Sequence, residues 1–189
     1  ETPDLDSRLV FHRKLKDIAL AIEDTRLIRA ALERDEQSTA NTIKIPDPFA
    51  EDVDVLSCNE YIGWYSGLPS RCAEVTWDLP EDKPFFVSEF GGGPLYNHHG
   101  DKLTRWTEEY QEYLYEEQLN MLQKIPTLRG MTPWILVDFR SPRRNLPLIQ
   151  EGWNRKGLIS ENGFKKKAFH TLKAFYDEME KKYDYKIND

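Results

Sequence analysis

The sequence predicts an α/β fold built on parallel strands. Helical and extended patterns alternate along the chain, and the extended runs are continuously apolar rather than apolar on every second residue. Prolines also interrupt the chain between these runs. Strands that are apolar on both sides belong to a parallel sheet covered by helices on both faces.

Each element follows in order. Residues 7–23 put Leu9, Val10, Leu15, Ile18, Ala19 and Ile22 roughly on one face at helical spacing, with Asp6 or Ser7 available as N-cap. The run TRLIRAAL at 25–32 fits strand or helix by propensity alone, and the alternation that follows makes it a strand. Pro46-Asp47-Pro48 breaks the chain before VDVLSCNEY at 53–61, a β-rich run. Residues 70–78 leave room only for a short helix before Pro80 and Pro84. Phe85 to Val87 form the next strand, with Glu89 just past its end and Gly91-Gly92-Gly93 behind it. A long helix over 104–124 carries Trp106, Tyr110, Tyr113, Leu114, Leu119 and Leu122. MTPWILVDF at 131–139 is a further strand, and 166–182 a closing helix.

About four strands result, which suits either an open sheet or half of a (β/α)8 barrel, whose full length is typically ~250 residues. With 189 residues, one domain spanning 1–189 is expected. The composition, 39% hydrophobic and 31% charged, is that of a soluble globular protein. A formal charge of −7 argues against a nucleic-acid partner, which requires a basic face. The clusters Arg140-Ser141-Pro142-Arg143-Arg144 and Lys165-Lys166-Lys167 read as solvated loop and helix ends. No apolar run approaches the roughly 20 residues that span a bilayer, so neither a membrane partner nor a leader is expected in this sequence. Two cysteines are too few for a disulfide scaffold, Cys58 reads as a buried free thiol, and the compartment stays open. The triple glycine matches no phosphate loop, and His98-His99 lack a third ligand; no cofactor and no metal are expected.

In parallel α/β folds the chemistry sits at the carboxyl ends of the strands. Three acids stand at such ends: Glu60, Glu89 and Asp138. Glu89 is distinguished by the three glycines behind it, which permit a positive φ or a close backbone approach. The same ends bring Tyr61, Trp64, Tyr65 and Trp134, and a later loop brings Trp153. Such aromatic faces suit either core packing or stacking against the apolar C–H face of a pyranose.

Four motifs in order then resemble one family: Cys58-Asn59-Glu60-Tyr61-Ile62-Gly63-Trp64-Tyr65; Ser88-Glu89-Phe90-Gly91; Trp134 to Asp138; and Asn154-Arg155-Lys156-Gly157-Leu158 followed by Lys165-Lys166-Lys167-Ala168-Phe169. Over roughly residues 53–176 the chain is similar to the C-terminal half of the catalytic barrel of family 2 glycoside hydrolases. The resemblance implies a (β/α)8 half-barrel and a retaining mechanism with two glutamates. It implies Glu89 as nucleophile, Tyr61 holding that carboxylate with Asn59 and Tyr65 beside it, and Trp134 under the sugar. Asn154 and Lys156 resemble the Asn-x-Lys element of β-glucuronidases, in which an amide and an ammonium meet the sugar carboxylate. Gln150 departs from the pattern, standing where some glucuronidases carry an arginine.

The family's acid/base, an Asn-Glu pair after the fourth barrel strand, has no counterpart here, and Glu60 is one residue out of phase with the site. The resemblance therefore implies cleavage of β-glycosides, foremost β-D-glucuronides, completed by a missing N-terminal half-barrel or a second copy. The isolated piece is expected to be inactive. A β-galactosidase of the same family is one alternative. A non-catalytic half-barrel that binds sugar or assembles is another.

Overall fold

The structure is a computed structural model and describes residues 5–35 and 41–184. The chain divides into two compact units, one of residues 1–60, 74–88 and 123–131, the other of 61–73, 89–122 and 132–189.

In the first unit, helix α1 (Leu5–Ile22) precedes strands β1 (Arg29–Leu32), β2 (Thr42–Ile43) and β3 (Val55–Asn59). Strands β4 (Thr76–Trp77), β5 (Phe85–Glu89) and β6 (Leu128–Met131) follow, Glu89 itself falling in the second unit. A four-stranded sheet has the order β1-β3-β5-β6. β1 runs parallel to β3, with Arg29 opposite Val55, and β5 runs parallel to β6 with a bulge between Phe85 and Phe86. In β3 three successive residues, Leu56, Ser57 and Cys58, are buried, so both faces are covered, whereas in β5 burial alternates, with Phe85 and Val87 buried and Phe86 and Ser88 only half-buried. Burial pushes the Cys58 thiol up to about 12, so it stays an inert packed group. β2 and β4 form a separate parallel pair. Between them Asp47 caps the 3-10 turn Pro48–Glu51, accepting from the Phe49 amide, and pairs with Arg8 at 3.0 Å.

Helix α1 starts earlier than the periodicity predicts, so Asp6 and Ser7 lie inside its first turn and the N-cap position falls outside the described residues. Its apolar face is not covered: Val10, Leu15, Ile18 and Ile22 are exposed, Ile22 by 81%.

The second unit holds helices α2 (Glu108–Leu122) and α3 (Lys167–Asp184) and a short antiparallel pair, β7 (Phe139–Arg140) with β8 (Trp153–Asn154). α2 begins after Thr107, not at 104, because the Thr107 hydroxyl accepts from the Tyr110 amide at 3.0 Å and caps the helix. The buried face of α2 carries two amides among its apolar residues. Gln111 donates to Gly92 O and Gln118 to Ile62 O, each at 2.8 Å, so the helix holds the loops after β3 and β5 in place.

The strand predicted over 131–139 is not a regular strand. β6 ends at Met131, and Pro133 brings no N–H to a ladder. Beyond it the backbone bonds to other loops: the Trp134 amide donates to Phe90 O, the Ile135 amide to Lys156 O and the Leu158 amide to Ile135 O. The Trp134–Ile135 peptide is cis. In the lysine cluster at 165–167, Lys165 is exposed and the Lys167 side chain reaches solvent at the start of α3, as a solvated helix end does, but Lys166 does not. Lys166 is fully buried, because Asp138 and two backbone carbonyls offer it a complete set of acceptors.

Candidate active site

Glu89 is the last residue of β5, at the carboxyl end where parallel α/β folds place their chemistry. The glycines behind it serve both predicted purposes. Gly91 has φ +110°, and a side chain there would collide with the Tyr115 hydroxyl. At Gly93 a Cβ would lie 2.7 Å from the Arg155 carbonyl oxygen, so only glycine lets the two backbones come together.

One Glu89 oxygen accepts a hydrogen bond of 2.8 Å from the Tyr61 hydroxyl. Burial, reinforced by the bond to Glu89, pushes the Tyr61 phenol far above its ordinary pKa, so it remains a donor at all working pH values. The Tyr61 ring meets Tyr65 edge-on with centroids 5.0 Å apart, and Tyr61, Trp64, Tyr110 and Leu114 form a buried cluster against which Trp106 and Trp134 pack. Trp134, half-buried, therefore stands beside the Tyr61 ring's cluster, with its own edge against Phe139 at 6.0 Å.

Lys156 completes the constellation. Its ammonium donates to the Tyr65 hydroxyl at 2.6 Å and lies 3.9 Å from the centroid of the Tyr61 ring and 4.3 Å from that of Tyr65. Burial lowers the pKa of this lysine, with the Tyr65 bond and Glu89 acting the other way. Burial also opposes ionisation of Tyr65, but the bonds from Lys156 and Arg144 outweigh it and lower the phenol's pKa. The Asn154 side-chain oxygen Oδ1 accepts from the Lys156 backbone amide at 3.0 Å. That turn leaves the NH2 of Asn154 as the group able to meet a ligand.

A cleft of about 140 Å3 opens here, lined by Tyr65, Arg105, Arg144, Gln150, Asn154, Arg155 and Lys156 against the indoles of Trp64 and Trp106. Four cations and no acid line it, which gives it a positive potential. The Arg105 guanidinium lies 4.4 Å over Trp64 and donates to its carbonyl.

Of the residues predicted for the site, Tyr61, Tyr65, Glu89, Trp134, Asn154 and Lys156 share the second unit, and contacts link them as described. Asn59 ends β3 in the first unit, where its carbonyl accepts from Arg34 at 2.9 Å. Glu60 is fully buried and pairs with Arg34 at 3.8 Å. Asp138 is not a site acid: it is bound by Lys166 at 2.9 Å and by the Gly157 amide at 2.8 Å. The cleft-lining cations not singled out in the sequence are Arg105, Arg144 and Arg155. Arg144 belongs to a basic cluster that reads as solvated loop, and the one signal of its position is that this cluster stands close before Asn-x-Lys in sequence.

No family model matches the chain. Curated proteins do. Over 136 residues the chain is 31% identical to a β-glucuronidase of Streptococcus agalactiae, covering 67% of this chain and 22% of that protein. Over 184 residues it is 26% identical to a β-glucuronidase of Paenibacillus borealis, covering 92% and 29%. Human β-glucuronidase is 29% identical over 150 residues, covering 72% and 22%. The chain thus spans less than a third of the length of these curated relatives.

Among solved structures, a β-D-glucuronidase of Dictyoglomus thermophilum superposes with a TM-score of 0.73 at 24% identity, covering 94% of this chain and 30% of that one. A galacturonate-bound GH2 β-galacturonidase of Eisenbergiella tayi gives 0.71 at 21%, covering 90% and 30%. The parallel sheet and the motif order agree with these likenesses: the chain resembles part of a family 2 β-glucuronidase and has the fold of part of a (β/α)8 barrel.

Proposed function

We propose that this chain is the nucleophile-bearing part of a retaining β-glycosidase acting on β-D-glucuronides, and that it belongs to a longer protein. The observation that carries the reading is the 2.8 Å bond from Tyr61 to Glu89 in the same unit as the cationic Tyr65–Lys156–Asn154 cluster. In this mechanism the Glu89 carboxylate attacks the anomeric carbon and forms a glycosyl-enzyme, which water then hydrolyses. Tyr61 holds the carboxylate before attack and releases it as the ester forms. Asn154 and Lys156 take the sugar carboxylate, and Trp134 offers its face to the ring. The acid/base carboxylate comes from the remainder of the barrel, which also covers the apolar stripe of α1.

Glu89→Gln in the longer protein is expected to reduce kcat by about 10^4-fold with an unchanged melting temperature. An unchanged rate overturns the assignment. The chain alone is expected to show no turnover and to self-associate through α1; light scattering on a chromatographed sample that finds a well-behaved monomer removes the case for pairing.

A β-galacturonide is a second reading. It is favoured by the cationic cleft, which recognises the carboxylate and not the configuration at C4, and by the galacturonate-bound neighbour. Comparing aryl glucuronide with aryl galacturonide hydrolysis separates the two. A β-galactoside, neutral at C6, gains nothing from the cleft's charge, and Lys156→Ala is expected to slow only uronides.

A further inference from the structure

Resting on the uronide reading above, we propose that the Arg144 guanidinium is a second cationic contact for the sugar carboxylate and a determinant of uronide selectivity. The cations of the cleft are not equivalent. Arg155 is already matched by Glu161 at 2.7 Å and Asp138 at 3.6 Å, and its Nε donates to Ile149 O at 3.0 Å. Arg105 is spent on the Trp64 ring and carbonyl. Among the described residues, no carboxylate forms an ion pair with Arg144 or Lys156.

Both of these cations instead line the cleft with the Tyr65 hydroxyl, which Lys156 bonds at 2.6 Å and whose ionisation Arg144 also favours. Two cations beside one neutral hydroxyl repel each other, and the buried Lys156 lacks the partner that would offset its desolvation. A carboxylate entering beside Tyr65 relieves both costs at once. A guanidinium adds what an ammonium lacks: a planar fork of donors that fits both carboxylate oxygens.

Arg144 is also held ready. Its amide donates to Ser141 O at 2.9 Å and its carbonyl accepts from Gly152 at 2.7 Å, so the loop between β7 and β8 is pinned at that residue. The entropy of ordering the loop is thus met before ligand arrives. Gln150 lines the same cleft and offers only a neutral amide, so in this chain the guanidinium comes from 144.

The test compares kcat/KM of the full-length protein on an aryl β-D-glucuronide and on the neutral methyl ester of the same glucuronide. Arg144→Ala is expected to lower kcat/KM on the glucuronide about 10- to 100-fold, mostly through KM, and to leave the ester within about twofold. Arg144→Lys, a point charge without the fork, is expected to fall between. Arg144→Ala combined with Gln150→Arg, which restores a guanidinium to the cleft from another residue of the same loop, is expected to recover most of the loss. Equal losses on both substrates, or none on either, overturn the inference while leaving the uronide reading intact. A wild-type protein that cleaves no uronide overturns both.

Discussion

Two lysines in the second unit, Lys166 and Lys156, are both removed from water, 0% and 5% exposed, yet their surroundings differ in kind. The Lys166 ammonium is enclosed by Asp138 Oδ1 and Oδ2 at 2.9 and 3.0 Å and by the Pro94 and Arg155 carbonyls at 3.0 Å. Lys156 has one phenol at 2.6 Å and two aromatic faces. Burial lowers the pKa of both, but only Lys166 has an opposite charge in contact to offset it. A completed coordination set has nothing left to offer a ligand and serves the fold. An incomplete one is a cost the fold carries until a ligand completes it.

The largest test of this contrast is on stability. Lys166→Met leaves the buried Asp138 carboxylate with only the Gly157 amide and the more distant Arg155 guanidinium, and breaking a buried pair from one side costs about 3–5 kcal/mol. Lys156→Met removes a charge that burial already opposes and keeps an apolar stem on the two rings, so it is expected to change stability by less than ~1 kcal/mol while uronide turnover collapses. Urea unfolding of the two full-length variants measures both. Equal destabilisation would mean that Lys156 is structural after all.

A smaller effect isolates the other half of the site. Tyr61→Phe keeps the ring and its packing but deletes the 2.8 Å donor to Glu89. A hydrogen bond to a charged group contributes about 1.5–3 kcal/mol, so kcat is expected to fall about 10- to 100-fold, well short of Glu89→Gln. A loss as large as that of Glu89→Gln would make Tyr61 a participant in the chemistry and not a positioning residue.

What could be read in the sequence divides along the same line. The apolar runs at 53–61 and 85–87 announce β3 and β5 because their burial is a property of the runs themselves. Glu89, Tyr61, Asn154 and Lys156 are legible through short motifs whose members are near one another in sequence. Residues whose state is set by distant neighbours are not legible. Lys166 and Asp138 are 28 positions apart and become a closed pair only in the fold. Arg144 and Tyr65 meet across a long stretch of chain. The segment at 132–138 fails as a strand because its backbone partners, Phe90 and residues 156–159, lie on loops that no local pattern reveals.

The smallest expected effect is a pH dependence, and its sign follows from Lys156. Burial places the folded-state pKa of this ammonium below its unfolded value of about 10.4. Between the two values the unfolded chain holds more protons, so the residue's cost to stability, full below the lowered pKa, is relieved as pH rises through that window. Binding of a carboxylate acts the other way, since it favours the charged lysine. Affinity for D-glucuronate is therefore expected to be flat below the lowered pKa and to fall above it, by up to about tenfold per pH unit. Tyr65, whose pKa is also lowered by its two cations, would produce a fall of the same sign by becoming a phenolate. Lys156→Arg and Tyr65→Phe separate the two. If the ammonium is responsible, the arginine variant binds evenly through the alkaline range and the phenylalanine variant keeps the fall. The opposite pair of results assigns the fall to the phenol, and the incomplete coordination of Lys156 would then have no part in binding the anion.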